Sequence, residues 1–503
     1  MTRDAEASRS TPFSRSQECF QAIVGWLDSE EAPALSHGDL EAQLDMKGRE
    51  LLRQLFQDHL DLRAERERRL EGVIDAEGVS RGSIETSHER CLTTLFGEVE
   101  VQRLAYRRRG VANLYPADAV LNLPEERHSH GIRHLAAIES ARGSFDAAVE
   151  AIERATGQQV GKRQVERLTS RAACDFDEFY HRRSPQQGDP GDVLVLSCDG
   201  KGIVMRPDAL RSATATAAAK AAGKLATRLS KGEKRNRKRM AEVGAVYDAT
   251  PVVRTSADIL PATDAKHSKA TPGPTAHHKW LTASVVQDAA SVVGQIFDEA
   301  ERRDPEHIRT WVALVDGNNH QIERIKAEAQ TRKITVSILI DLVHVLEYLW
   351  KAVWCFYGEG DAQAEDWVRR QALAVLAGKA TRVAGTIRRA ATRAHLEPIR
   401  RAGADTCATY LTNKAAYLDY PKALQQGWPI ATGVIEGACR HLVKDRMDLT
   451  GARWGLEGAE AVLKLRALRS NGDFTDYWQY HLSREQQRVH QSRYADGVIP
   501  QAA

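Results

Sequence analysis

Two short apolar runs in the second half of the chain close on the same dipeptide, VLVLSCDG (193–200) and WVALVDG (311–317). Runs this short, bounded by turn residues, read as buried β-strands, for which about four to eight residues suffice. A further run leads straight into helical text in ITVSILIDLVHVLEYLWKA (334–352). Strands with helices between them make an α/β domain around a mixed sheet. An aspartate at the carboxyl end of such a strand stands where open α/β sheets bind ligands. A buried, unpaired carboxylate costs several kcal/mol, so Asp199 and Asp316 call for a cation or a metal. Asp-Gly after a strand is also plain turn chemistry, and that reading suffices for either acid taken alone.

The stretch ATGVIEGACRHLVKDRMDLTGARW (431–454) adds a third acid. Glu436 lies among small residues at the start of a helix that then turns cationic. An i,i+4 pair with Arg440, worth a few tenths of a kcal/mol, is the plain explanation. Set beside Asp199 and Asp316, it becomes the third oxygen donor for two Mg²⁺ (or Mn²⁺) ions. Such ions, about 3.5–4 Å apart, suit in-line phosphoryl displacement.

The rest of the chain divides by texture. Residues 1–16 are polar and read as disordered, and 17–90 as a helical segment. Within the latter, Leu51, Leu52, Leu55, Phe56 and Leu60 recur at helical spacing, as in a packing or dimerisation helix. Residues 91–183 combine a small hairpin, CLTTLFGEVEVQRLAYRRRG (91–110), with helix–turn–helix-like text. In that text Lys162, Arg163 and Arg167 are candidate DNA contacts. SPQQGDPGD (184–192) reads as a domain boundary. Beyond it, 192–344 and 431–470 form the core, 345–430 a helical insertion and 471–503 a C-terminal tail. Within the core, 241–255 reads as two strands around a turn and about 281–302 as helix. From Asp199 to Arg239 there are twelve Lys or Arg against three Asp or Glu. This is a solvated loop or a phosphate-neutralising one, with Lys234, Arg235, Arg237, Lys238 and Arg239 as its contacts.

Composition excludes several classes. The net charge of +3 does not announce a nucleic-acid partner, so only its distribution can. Seven cysteines with no CxxC pair argue against a zinc ribbon or a disulfide framework and suit a reducing cytoplasm. No apolar run approaches the roughly 20 residues of a membrane span. The polar N-terminus lacks the apolar core of a signal peptide. A soluble, cytoplasmic protein without a membrane partner is the expectation.

Four blocks occur in a telling order: CDGKGIVM (198–205), VDGNNHQIERI (315–325), IDLVHVLEYLWKA (340–352) and GVIEGACRHLVKDRMDLTGARW (433–454). Together they resemble the blocks of DDE-type insertion-sequence transposases, nearest the ISKra type and more distantly the Mutator-like enzymes. FGEVEVQRLAYRRRG (96–110) is similar to that family's N-terminal region, so the resemblance spans roughly residues 80–480. It implies a ribonuclease H-like core, a mixed sheet with flanking helices, interrupted by an all-helical insertion before the glutamate. The N-terminal region would be mainly helical with its small hairpin. It also implies an Asp199, Asp316, Glu436 triad, with Asp341 and His344 as the D-x-x-H element of Mutator-like relatives. Some relatives carry cysteines after the hairpin that could bind zinc; this chain has none there, and no zinc is expected. The implied activity is cutting and joining double-stranded DNA, at element ends and target, by a nucleoid-associated homo-oligomer.

Other residues in these blocks keep two readings. Lys201 is a solvated lysine or a contact to the scissile phosphate. His344 and His320 are structural, or orient DNA or water. Arg440, His441, Lys444, Arg446 and Arg453 lie where substrate phosphates would dock. Trp454 is core, or stacks on a flipped base. Two other functions fit the same residues: a nuclease of the same fold that does not join strands, and a non-catalytic DNA-binding protein with a decayed core.

Overall fold

Helix α1 (Ser14–Leu27) opens inside the stretch expected to be disordered, and α2 (His37–Glu65) follows after Ser36, whose hydroxyl caps it by accepting the Asp39 N–H. The structure is a computed structural model that describes residues 11–220, 233, 237–261, 271–449 and 451–501. Its contacts divide the chain into two units, Met1–His181 with Asp473–Ala503, and Arg182–Gly472.

In the first unit, β1 (Ser83–Thr93) and β2 (Glu98–Arg107) form the antiparallel hairpin. β1 starts eight residues before the expected hairpin, in polar text (SIETSHER) that stays largely exposed and so carries no apolar alternation. Leu92, Val99 and Val101 pack with Leu60 of α2. Beyond the hairpin α3 (His130–Arg142), α4 (Phe145–Thr156) and α5 (Lys162–Ala172) pack together. Ser144 caps the start of α4, and Gly157 ends it in the left-handed conformation that glycine adopts freely. Ile132, Ala136, Ala148, Ile152, Val165 and Leu168 close their shared core. Residues 471–503, expected as a tail, include the helix Phe474–Glu485 of this unit. There the Tyr477 hydroxyl donates to the Ala172 carbonyl (2.7 Å), and the fully buried Arg133 pairs with Glu485 (2.7 Å).

The second unit is built on five strands: β3 (Val193–Val204), β4 (Lys238–Ala249), β5 (Ala276–Ser284), β6 (Trp311–Val315) and β7 (Val336–Ile340). Their order is β5-β4-β3-β6-β7, antiparallel from β5 to β3 and parallel from β3 to β7. This is a mixed sheet, covered on both faces, which is why β3 and β6 are apolar on both sides.

Helix α6 (Ala289–Arg303) packs on one face. It comes so close that a Cβ on Gly244 would meet Ile296 at 2.8 Å. On the other face Val193, Val195, Val312 and Leu314 join the core of the helical insertion. The helices on this side are α8 (Leu342–Val353), α9 (Ala362–Leu376), α10 (Ala380–Arg393) and α11 (Pro398–Asn413), while α7 (Asn319–Arg332) links β6 to β7.

The expectation for 241–255 needs correction. This segment holds one strand end, not two strands, and the next strand is β5, starting at Ala276. Pro251 breaks the ladder, and the Val252 N–H turns away to the Gly427 carbonyl (3.0 Å). The helix expected from about 281 begins only at Ala289.

Candidate active site

Pairing between β3 and β6 ends at Leu196↔Ala313, yet β3 continues to Val204. Asp199 is therefore in mid-strand rather than at the strand end that the sequence suggests. Three residues on from each member of that last pair stand Asp199 and Asp316, level with each other where the two strands part. By the two-residue alternation of strands, both point to the face of Val193, Val195, Val312 and Leu314.

Local structure fixes each acid. Asp199 is half-buried; one carboxylate oxygen accepts its neighbour Gly200 N–H (2.7 Å) and the other accepts the Cys439 thiol (3.3 Å). Asp316, also half-buried, accepts the Asn318 N–H (2.8 Å) in a turn, and its carbonyl accepts the Tyr410 hydroxyl (3.1 Å) from α11. Gly317 between them has φ +92°, and a Cβ there would meet that hydroxyl at 2.8 Å. Lys414, one turn beyond Tyr410, donates to the Asn319 side chain. The insertion thus braces the loop that carries Asp316.

Glu436 sits in α12 (Gly433–Ala438), which packs against β3 and β4. Partial burial raises its carboxyl above the usual range, and the charges of Asp341, Glu347 and Asp199 add to this against His344. Glu436 and Asp199 therefore share one electrostatic neighbourhood, and Asp199 and Asp316 both act on the thiol of Cys198. Just after α12, Cys439–Lys444 forms a π-helical turn, a feature that often marks functional sites.

Asp341 is buried and caps α8 by accepting the Val343 N–H (2.8 Å). Its other oxygen accepts the hydroxyl of Thr432, which precedes α12. Its own N–H donates to the Val315 carbonyl (2.9 Å), next to Asp316. His344 is half-buried, 3.9 Å from the Glu347 carboxylate. His320 is exposed at the start of α7.

Lys201, Lys444 and Arg453 are exposed, and Arg440 pairs loosely with Asp445 at 3.7 Å. His441 is half-buried, which lowers its pKa. Arg446 requires a correction. It is buried, its guanidinium lies 4.6 Å from the centre of the Trp454 ring, and burial lowers its pKa to about 10. A side chain so placed supports the core and does not reach a phosphate. Trp454 is core as well, its indole donating to the Met447 carbonyl (3.0 Å).

Lys162, Arg163 and Arg167 are exposed on α5, with Lys162 paired to Asp146 at 2.7 Å. Lys234 and Arg235 lie outside the described residues. Arg237 is half-buried and Lys238 exposed, whereas Arg239 donates to the Val285 (2.7 Å) and Ala209 (3.2 Å) carbonyls and holds two loops.

Four residues of the site were not found in the sequence: Thr432, Cys439, Tyr410 and Glu242. Glu242 on β4 lies beside Gly200, and burial raises its carboxyl, with Asp199 adding to the shift against Arg211 and His320. Cys439 alone left a trace, one helical turn after Glu436.

Asp199, Asp316 and Glu436 form no ion pair with a described residue, and Glu242 and Asp341 add negative charge around them. Two divalent cations would relieve that repulsion. The three carboxylates do not all lie within 4.8 Å of one another. Two ions about 3.5–4 Å apart, each reached at about 2.1 Å, tolerate the wider spacing.

Tighter groups occur elsewhere among the described residues, at Asp248, His277 and His278, and at Cys174, Asp175 and His481. These could hold a metal by distance. Both, however, contain arginine: Arg309 lies 2.7 Å from Asp248, and Arg488 lies 3.0 Å from Asp175. A guanidinium already supplies the positive charge there, which makes them ion-pair networks. Among the described residues no helix is long and apolar enough to cross a membrane. No protein-family model matches this chain, and neither does any curated protein.

Proposed function

We propose that the chain is a DDE-type transposase of ribonuclease H-like fold that cleaves DNA at element ends and joins them to a target. The observation that carries this reading is the level placement of Asp199 and Asp316 where β3 and β6 part, on the face that also receives the Glu436 helix. The five-stranded mixed sheet with helices on both faces supports it too, being the kind of core that the resemblance implies. Asp199, Asp316 and Glu436 would hold two Mg²⁺ or Mn²⁺ ions, which when bound activate the attacking oxygen and stabilise the leaving one.

The chain's own residues do the positioning. Cys439 and the Gly200 N–H fix the Asp199 carboxylate; Asn318 and Tyr410 fix the Asp316 loop; Thr432 and Asp341 tie the Glu436 helix to the end of β6. Exposed Lys201, Lys444 and Arg453 offer cations to substrate phosphates. The partner is double-stranded DNA, bound by a homo-oligomer.

Asp316→Asn tests the reading. It keeps size and turn preference but removes the charge that a metal needs. Purified protein is given end-labelled DNA from the flanks of its own gene with Mg²⁺, beside a gel-shift assay. Cleavage and joined products are expected to fall by several orders of magnitude while binding survives. Unchanged cleavage would overturn the assignment, and cleavage by the unaltered protein without joined products would reduce it to a nuclease.

A further inference from the structure

The thirty residues from Trp367 to Leu396 contain seven Lys or Arg and no Asp or Glu, in a chain that is otherwise nearly balanced at 71 to 68. The structure concentrates this imbalance on α10. Its inner face, Ala380, Val383, Ala384, Ile387 and Ala391, is buried in the insertion core. Its outer face carries Arg382, Arg389 and Arg393, spaced by seven and four residues and thus on one ridge, with Arg388 beside it. All four are exposed, and none forms an ion pair with a described residue. Their contacts are neutral: Arg388 donates to the Thr409 hydroxyl (3.2 Å) and Arg389 to the Thr386 hydroxyl (3.2 Å).

A solvated helix face normally mixes both signs, because like charges one turn apart repel by a few tenths of a kcal/mol. A ridge kept wholly cationic suits a polyanion. Arg382 to Arg393 spans about 16 Å at 1.5 Å per residue, the length of about five base pairs. The helix that carries the ridge is also one helix removed from the Asp316 loop. α10 packs on α11, and α11 reaches the Asp316 carbonyl through Tyr410.

We propose that Arg382, Arg389 and Arg393 form a phosphate-binding ridge on the insertion that holds DNA backbone beside the Asp199, Asp316, Glu436 site. The assignment rests on the DNA reading of that site. It needs no base contact, so it contributes affinity and placement rather than sequence preference.

The test uses the full chain, a random-sequence duplex of about 30 base pairs, and salt from about 50 to 200 mM. The triple variant R382Q/R389Q/R393Q is expected to lower the slope of log affinity against log salt by about 2–3, or about 0.9 per lost phosphate contact. The matching triple lysine variant is expected to keep the slope. All three side chains are exposed, so an unchanged melting temperature confirms folding. An unchanged slope in the glutamine variant, with the slope still lowered by R163Q/R167Q on α5, overturns the ridge and leaves the DNA reading standing. Absence of DNA binding by the unaltered chain overturns both. Ile399, 95% exposed just past the ridge, is the feature a membrane surface would use. Loss of binding to phosphatidylserine vesicles with an unchanged DNA slope would therefore overturn the proposal in favour of that surface.

Discussion

The Thr432 hydroxyl donates to the Asp341 carboxylate across 91 residues of sequence. Because Asp341 also caps α8 and its N–H reaches the Val315 carbonyl, this one bond joins the Glu436 helix to the strand end beside Asp316. Thr432→Val would leave a buried carboxylate oxygen without its donor, at a cost of about 1–3 kcal/mol. Thr432→Ser should recover most of the stability and of the cleavage. Urea unfolding of both variants measures the first, and end-labelled cleavage the second. Equal stability of the valine and serine variants would show that the bond does not matter.

Gly317→Ala should be more disruptive than its size suggests. The backbone is left-handed there, and the new methyl would meet the Tyr410 hydroxyl. Backbone strain of this kind costs about 1–3 kcal/mol. Adding Tyr410→Phe removes the clashing oxygen and should return part of that loss in a double-mutant comparison of unfolding free energies. Simple additivity would place the strain elsewhere.

Acid sensitivity should be readable in the first unit. The neighbouring Arg133, Arg488 and Arg171 overcome the effect of burial and hold the Glu485 carboxyl at about 2, below its ordinary 4.5. A depressed carboxyl stabilises the fold above its unfolded value, and that stability is lost as pH falls through the folded value, here between about 4.5 and 2. Glu485→Gln should flatten the pH dependence of unfolding in that window. At neutral pH it should cost about 3 kcal/mol, because Arg133 stays buried with Glu126 as its remaining charged partner among the described residues. Melting curves from pH 7 down to 2 check both.

On α5 the three cations should not weigh equally. Arg163→Gln and Arg167→Gln should each lower the salt slope of DNA binding by about 0.9. Lys162→Gln should change it less, since Asp146 already neutralises that lysine at 2.7 Å. Three equal effects would show that the pair opens on binding.

How much of this the sequence discloses depends on whether a property is local. Asp199 and Asp316 stand out because apolar text immediately precedes them. Their level placement is not visible, because it follows from pairing that ends at Leu196 and Ala313. β5 is hidden for a local reason: AHHKWLTAS is polar in its first half and apolar in its second, so it shows no clean alternation. Thr432 and Tyr410 act on residues more than ninety positions away, and only the fold brings them there. Arg446 misleads in the opposite sense, since a sequence displays its charge but not its burial under Trp454.

The π-helical turn Cys439–Lys444 gives the segment behind Glu436 a place to absorb length. Such a turn holds one residue more than an ordinary helical turn, and removing one would give a continuous α-helix with its backbone bonds intact. Because the wide turn takes up the extra residue, the Glu436 side and the helix beyond Lys444 would keep nearly the same phase, whereas losing a residue from an ordinary turn rotates one side by about 100°. A single in-frame codon deletion inside the turn would therefore leave the glutamate facing its partners, and the same deletion one turn earlier would swing it away.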